Sequence, residues 1–292
     1  MSDAAARDGV TVTAERLIAL RHLLIEAQRD VTVSALPGGF AIARRGNGQV
    51  IADSRLYIQG DDIRHVDRGA TARTGELHVR TFHEERDRVC FLVADFRPCM
   101  LWGLRRALWS VAAAEALAWL GWQTVETGGR VGLLAVTGGD RIHIPSRGRV
   151  RGMLGVIGGL VRAHDIAMSE TRQGMQSPPL DRALSGLDRL VPRGSEMILA
   201  SALDTCGDGF ADLIGDLSRR RRTRIIRVGD RDLDRLPAGS YPVTGPDGVT
   251  TRIRYGGRMA AAPSEQEEID GCTFHDLDAA AELPQGLQDR IA

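Results

Sequence analysis

Apolar residues recur at helical spacing over residues 12–28. Leu17, Leu20, Leu23 and Leu24 share one side and Thr13 stands as a hydroxyl cap, so the chain is expected to open with an amphipathic helix. The pattern then shortens. Residues 31–36, 39–44 and 49–56 are strand-like pieces separated by Pro37-Gly38 and Gly46-Asn47-Gly48, turn chemistry that predicts a small β-rich module. A polar stretch over 59–73 leads into a further predicted strand at 76–82.

From Arg88 the pattern changes. The run Val89-Cys90-Phe91-Leu92-Val93-Ala94 ends in Asp95, as expected of a buried parallel strand that delivers one polar residue to a sheet edge. A helix over 101–120 follows, then strands at 130–137 and 141–145 and a helix at 150–167. Beyond a polar loop come a helix at 180–190, a strand at 196–202, a helix at 210–221 and a strand at 223–228. Strands alternating with helices predict an α/β fold with a doubly wound, mostly parallel sheet, whose ligands bind at the carboxyl ends of the strands. Residues 240–255 read as a hairpin around Pro246-Asp247-Gly248. Residues 263–288 hold seven acidic residues and no arginine, the composition of a mobile acidic tail. The predicted organisation is a helix and β-rich module over 1–87, an α/β domain over 88–239, a closing hairpin over 240–262 and a flexible tail over 263–292.

Composition narrows the class. The stretch 101–120 has the length of a membrane span, but Arg105, Arg106 and Glu115 lie inside it, each costing about 3 kcal/mol near a bilayer centre. A helix packed on a sheet is expected instead. With 43% hydrophobic and 26% charged residues the chain should fold, and with 4% aromatics its core must be aliphatic. The 38 basic and 38 acidic residues cancel, which removes a global field for nucleic acid or anionic membrane; Arg219-Arg220-Arg221-Arg222 reads as a solvated helix terminus. Cys90, Cys99, Cys206 and Cys272 form no Cys-x-x-Cys pair. With the small, polar N-terminus they point to reduced thiols in a cytoplasmic setting. His78 and His83 lie outside metal-ligand spacing. No Gly-x-Ser-x-Gly elbow, His-Glu-x-x-His pair or phosphate-binding Gly-rich loop is present, so no catalytic activity is expected.

One stretch carries a recognisable text. Arg55-Leu56-Tyr57, Gly60-Asp61-Asp62-Ile63-Arg64-His65-Val66-Asp67, Thr71-Ala72-Arg73-Thr74-Gly75 and Phe82-His83-Glu84-Glu85-Arg86 keep many fixed spacings. This resembles the family called domain of unknown function 58, whose members carry Arg-x-Tyr-x-x-Gly-Asp-Asp-x-Arg-x-Ile-Asp-Trp ahead of a von Willebrand A-like domain. The order of elements from about residue 15 to 245 agrees with it, and Arg227 to Leu236 followed by Pro237-Ala238-Gly239 is similar to its closing segment. Arg68 stands where the family has Trp, so packing there must differ. The resemblance implies a partner, because such proteins accompany MoxR-type AAA+ ATPases as adaptors or in the assembly of other complexes; the expected partner is such an ATPase, its client, or both. Read from the residues themselves, Asp61, Asp62, Arg64, Asp67, Arg73 and Arg86 form a salt-bridge and turn network locking the β module onto the α/β domain, the simpler reading, or a docking surface, with a phosphate or nucleotide site the least favoured because no Gly-x-x-x-x-Gly-Lys-Ser/Thr cradle is present.

The resemblance also implies an Mg²⁺ site, built on a first-strand Asp-x-Ser-x-Ser with a Thr and an Asp from other loops. Here the text is Asp95-Phe96-Arg97-Pro98-Cys99. Arg97 puts a fixed cation and Cys99 a soft sulfur where hydroxyls would bind a hard ion. Ala202 stands in the place of the Asp, with Asp204 two residues on, and either Thr171 or Ser177 could be the Thr. No cofactor is therefore expected, and Arg97 is expected to pair with Asp95 and supply the charge of the missing ion. The partner-binding edge is expected to comprise Asp95, Arg97, Cys99, Thr137, Asp140, Ala202 and Asp204. Two alternatives stay open: an Mg²⁺-dependent ligand-binding domain using Asp95 and Asp204, and a hydrolase using Cys99.

Overall fold

The computed structural model describes residues 9–34, 51–58, 61–82, 88–233, 236–244, 249–256, 269 and 271–282. The chain divides into two compact units, residues 1–31 with 88–292 and residues 32–87. In the larger unit six strands form one sheet: β3 (Val89–Asp95), β4 (Arg130–Val136), β5 (Arg141–Gly148), β6 (Glu196–Ser201), β7 (Arg222–Gly229) and β10 (Cys272–Asp278). Their order is β10-β7-β6-β3-β4-β5, parallel throughout except for β5, which runs antiparallel to β4. This is a doubly wound α/β sheet. β8 (Gly239–Thr244) and β9 (Thr250–Tyr255) make a separate antiparallel hairpin.

Alternation along the central strands sorts the core into two layers. Cys90, Leu92, Ala94, Leu133, Ala135, Ile198 and Ala200 face α3 (Trp109–Glu126) and α4 (Arg149–Arg172). Phe91, Val93, Leu134, Val136, Met197 and Leu199 face α5 (Leu180–Ala183), α6 (Leu187–Leu190) and α7 (Phe210–Ser218). Because both faces are covered, these strands are apolar at every position rather than at alternate ones.

The apolar stretch at 101–120 is not one helix. Residues 101–108 are irregular, and α3 starts only at Trp109. Two contacts hold that segment: Asp230 Oδ2 accepts from Leu104 N and Trp109 Nε1, both at 3.0 Å, and Leu108 N donates to Gly9 O at 2.8 Å. α3 is apolar around nearly its whole circumference because the sheet covers one side and α1 (Ala14–Ser34) the other, where Trp122 Nε1 donates to Leu17 O at 2.9 Å. Its one buried acid, Glu115, accepts from Arg16 at 3.0 Å and Arg106 at 2.8 Å. Among the described residues no helix is long and apolar enough to cross a membrane.

Several expectations need correction. α1 packs its Leu17, Leu20 and Leu24 into the α/β core, so it does not group with the β-rich module as the 1–87 boundary assumed. Residues 31–34, expected to be extended, complete its last turn. The piece at 39–44 lies outside the described residues. The helix over 180–190 is broken by Gly186, whose φ of +76° is left-handed, into the single turns α5 and α6. Most of all, the acidic segment is not simply a tail. Cys272–Asp278 forms edge strand β10, with Leu277 and Ala279 in the core, Arg227 bonded to Asp276 and Arg106 Nε to Ala279 O. Its half-polar composition is that of an edge strand exposed on one side.

Between α3 and α4 the core holds a histidine. His164 is fully buried, its Nε2 3.2 Å from Ser110 Oγ and its ring edge-on to Phe96. Burial pushes its pKa down to about 4. The unfolded chain therefore takes up this proton below pH 6.5, whereas the folded chain resists until about pH 4. Stability is fully present above pH 6.5 and falls through that window by up to about 3 kcal/mol. Urea midpoints at pH 7.5 and 4.5 should differ less in His164→Leu than in the wild type; an equal difference would clear His164 as the source.

Candidate functional site

In a doubly wound sheet, neighbouring strands whose connections leave in opposite directions open a crevice at their carboxyl ends. Here that pair is β3 and β6: β3 continues to β4 with α3 on one face, and β6 continues to β7 with α7 on the other. Asp95 ends β3 and Ser201 ends β6. The crevice is filled from within. Arg97 is completely buried and places its guanidinium against Asp95, Nε on Oδ1 at 2.9 Å and Nη2 on Oδ2 at 2.8 Å.

The other guanidinium hydrogens reach two further loops. Nη1 donates to Pro178 O at 2.6 Å and Thr205 O at 3.2 Å, and Nη2 to Asp204 O at 2.8 Å. All five N–H groups of the fork are thus used. Asp95 is equally saturated: Oδ1 also accepts from Arg97 N at 3.1 Å, and Oδ2 from Ser201 Oγ at 2.7 Å, which in turn accepts from Leu203 N. Presenting the carbonyls of 204 and 205 forces Leu203 to a φ of +57° and Thr205 to +50°. For a β-branched Thr this left-handed backbone is an outlier, of order 1–3 kcal/mol, and the arginine holds it in place. Cys99 N donates to Ser177 Oγ at 2.8 Å, so of the two hydroxyl candidates Ser177 belongs to this site. Thr171 Oγ1 is buried with no hydrogen-bond partner among the described residues.

Electrostatics follow from this enclosure. Burial opposes the charge on Arg97, but the bonded Asp95 overcomes it and raises the guanidinium pKa further. Burial, with Asp95 beside it, pushes the Cys99 thiol up to about 11, so it is protonated and a poor nucleophile at neutral pH. An Mg²⁺ of the kind the resemblance implies does not fit these residues. Both Asp95 oxygens are engaged, a guanidinium stands at ligand distance, and Asp204 turns its carbonyl, not its carboxylate, inward. Among the described residues no three His, Cys, Asp or Glu side chains are grouped to hold a metal.

The expected edge residues therefore divide. Asp95, Arg97 and Thr137 are closed off from solvent and shape the edge; Cys99 and Ala202 are partly exposed, and Asp140 and Asp204 are exposed. Beside the plug, Thr137, Asp140, Arg141, Pro178 and Arg182 line a cleft of about 170 Å³. Its floor depends on a residue that pattern reading missed. Glu170, buried at the end of α4, accepts from Thr137 Oγ1, Gly138 N and Gly139 N at 2.8–3.1 Å. The turn is tight: a Cβ on Gly138 would sit 2.8 Å from Met175 Sδ, and that exposed side chain would have to move aside. Nothing local in the sequence links Glu170 to a turn 32 residues away.

In the smaller unit the signature residues build turns. Arg55 clamps Asp61 through two bonds of 2.8 and 2.7 Å, and Asp61 Oδ2 also accepts from Ile58 N at 3.0 Å. The Arg55 hydrogen bonds, then the Ile58 amide, hold the Asp61 carboxyl below its ordinary range. Tyr57 N donates to Leu77 O at 2.8 Å between β1 (Ile51–Leu56) and β2 (His78–Phe82). Asp67 caps α2 (Arg68–Thr74) by accepting from Gly69 N and Ala70 N, and Gly75 ends it at a φ of +78°. Asp62 and Arg73 are exposed; Gly60, Arg86 and the Arg64 side chain lie outside the described residues.

Comparison with known proteins adds a family but no activity. Uncharacterized protein Rv1480 of Mycobacterium tuberculosis (strain ATCC 25618 / H37Rv) is 36% identical over 106 residues, 35% of this chain and 32% of that protein. Uncharacterized protein Mb1516 of Mycobacterium bovis (strain ATCC BAA-935 / AF2122/97) matches to the same extent. The match thus spans about a third of the length of these curated relatives. The family described as protein of unknown function DUF58 matches residues 53–258, which take in the Arg55–Asp61 clamp, the Asp67 cap and the Asp95–Arg97 plug, and the chain belongs to that family.

Proposed function

We propose that this protein is a non-catalytic adaptor that binds a MoxR-type AAA+ ATPase or its client through the carboxyl edge of a von Willebrand A-like domain. The observation that carries this reading is the plug. The crevice where a doubly wound fold takes its ligand is filled by Asp95 and Arg97, whose hydrogen bonds tie the loops at 178 and 204–205 into one preorganised surface. An edge tied together in this way, with Asp140 and Asp204 exposed, suits recognition of a protein surface. Against a Cys99 hydrolase stands the protonated thiol.

The test is affinity purification of the tagged protein beside Asp140→Arg and Asp204→Arg variants. The wild type should recover an ATPase or its client in amounts the variants reduce several-fold, with no dependence on added chelator. Recovery of neither sinks the adaptor reading; recovery abolished by chelator favours a metal-dependent one. Titration with Mg²⁺ should leave the melting temperature unchanged.

A further inference from the structure

The amino edge of the central sheet, opposite the Asp95–Arg97 plug, gathers arginines from segments far apart in sequence. Register places them. Arg130 opens β4 beside Val89 and opposite Gly148, and its N–H donates to Arg88 O at 2.8 Å. Arg222 opens β7 opposite Glu196, its N–H donating to Ser195 O, while Gly194 N donates to Arg220 O. Antiparallel β5 ends at the same edge with Arg147, and α4 begins there with Arg149 and Arg151. Read across β5, β4, β3, β6 and β7, one edge carries arginines at 147, 149, 151, 130, 88, 193, 219–222 and 224.

Among the described residues few acids answer them. Glu196 sits between Arg88 at 3.2 Å and Arg224 at 2.7 Å, Asp216 pairs with Arg219, and Asp188 lies near Arg221. Arg147, Arg149, Arg151, Arg193, Arg220 and Arg222 are exposed and meet no carboxylate among the described residues. The crowding is felt at Arg221, whose pKa is lowered by burial first and by Arg193 and Arg220 besides. Among the described residues this edge thus carries an excess of positive charge that a formal net charge of zero does not disclose.

We propose that this edge binds the phosphate backbone of nucleic acid. The strands begin about 4.8 Å apart, so the row across five of them runs about 19 Å. One strand of a duplex presents about six phosphates over that length. Every cation is an arginine, whose planar fork grips phosphate bidentately. The segments that carry these arginines, residues 146–151, 192–195 and 219–224, hold no aromatic residue, and the exposed Leu154 follows Arg151 by three residues on α4. The edge thus lacks the stacking platforms that read bases and the anchors that a membrane or protein hot spot would use. Contact is with the backbone, independent of sequence.

Fluorescence anisotropy of a labelled duplex of about 20 base pairs tests it, with poly-glutamate and phosphatidylglycerol vesicles as competitors. Six arginines that meet no carboxylate among the described residues predict that affinity falls with salt at a log–log slope of up to about 5. Arg149→Gly/Arg151→Ala/Arg222→Ala should weaken binding at least tenfold and reduce the slope by about 3, with an unchanged melting temperature. Glycine is chosen at 149 because its φ is +63°. Should that variant unfold, Arg193→Ala/Arg220→Ala should still weaken binding several-fold. No binding at low salt, variants that bind like the wild type, or tighter binding of poly-glutamate or vesicles through the same arginines would overturn the proposal.

Discussion

Replacing Arg97 by methionine should destabilise the α/β unit by about 3–5 kcal/mol and lower its melting temperature by roughly 10 °C. The side chain is fully buried and hydrogen-bonded at all five N–H groups, so its loss strands Asp95 as an uncompensated buried charge and leaves the carbonyls of Pro178, Asp204 and Thr205 without donors. The strained backbone at Leu203 and Thr205 loses its restraint as well. The double change Asp95→Asn/Arg97→Met should recover part of the loss by removing the charge, but not all, because the loop carbonyls stay unpaired. Full recovery would reduce the site to a plain ion pair, and a single variant within about 1 kcal/mol of the wild type would show that water reaches the plug. Because Arg97 is inaccessible, its substitution reports on folding; partner contact is read at Asp140 and Asp204 instead.

Ending the chain at residue 262 should leave the α/β unit insoluble. β10 pairs with β7 over seven residues, and without it β7 becomes a bare, apolar edge with Ile225, Ile226 and Val228 beside unpaired backbone. A milder form is Leu277→Asp, which places a carboxylate in a position 3% exposed and should cost about 3 kcal/mol or more. Soluble yield and chemical denaturation read the two effects. A truncated protein that stays soluble with an unchanged melting temperature would make β10 dispensable.

These two sites show where pattern reading succeeds and where it stops. The Asp95–Arg97 pair was legible because its residues are two apart at a strand end, and the same local text argued against a divalent ion. Its acceptors were not legible. Pro178, Asp204 and Thr205 reach the guanidinium from 81 to 108 residues away, all three through backbone oxygens, which carry no side-chain signature, and Ser201 Oγ donates to Asp95 from 106 residues away. Glu170 escaped notice for the same reason. β10 was missed because an edge strand packs one face only, and its Thr273, Asp276 and Asp278 match the composition of a solvated segment.

The sequence by itself determined the α/β alternation, the buried character of β3, β4 and β6, and the turn-forming signature around Arg55, Asp61, Asp67 and Gly75, since periodicity and turn chemistry are local properties. Tertiary structure alone decided which charges far apart in the chain stand together. Folding drew Arg97 inward as a plug at the carboxyl edge and lined the amino edge with arginines in or next to the ends of five strands, an arrangement that a net charge of zero does not disclose. The physical reason is that Coulomb interactions depend on distance in space, and a parallel sheet brings the starts of strands far apart in the chain to within about 5 Å of one another.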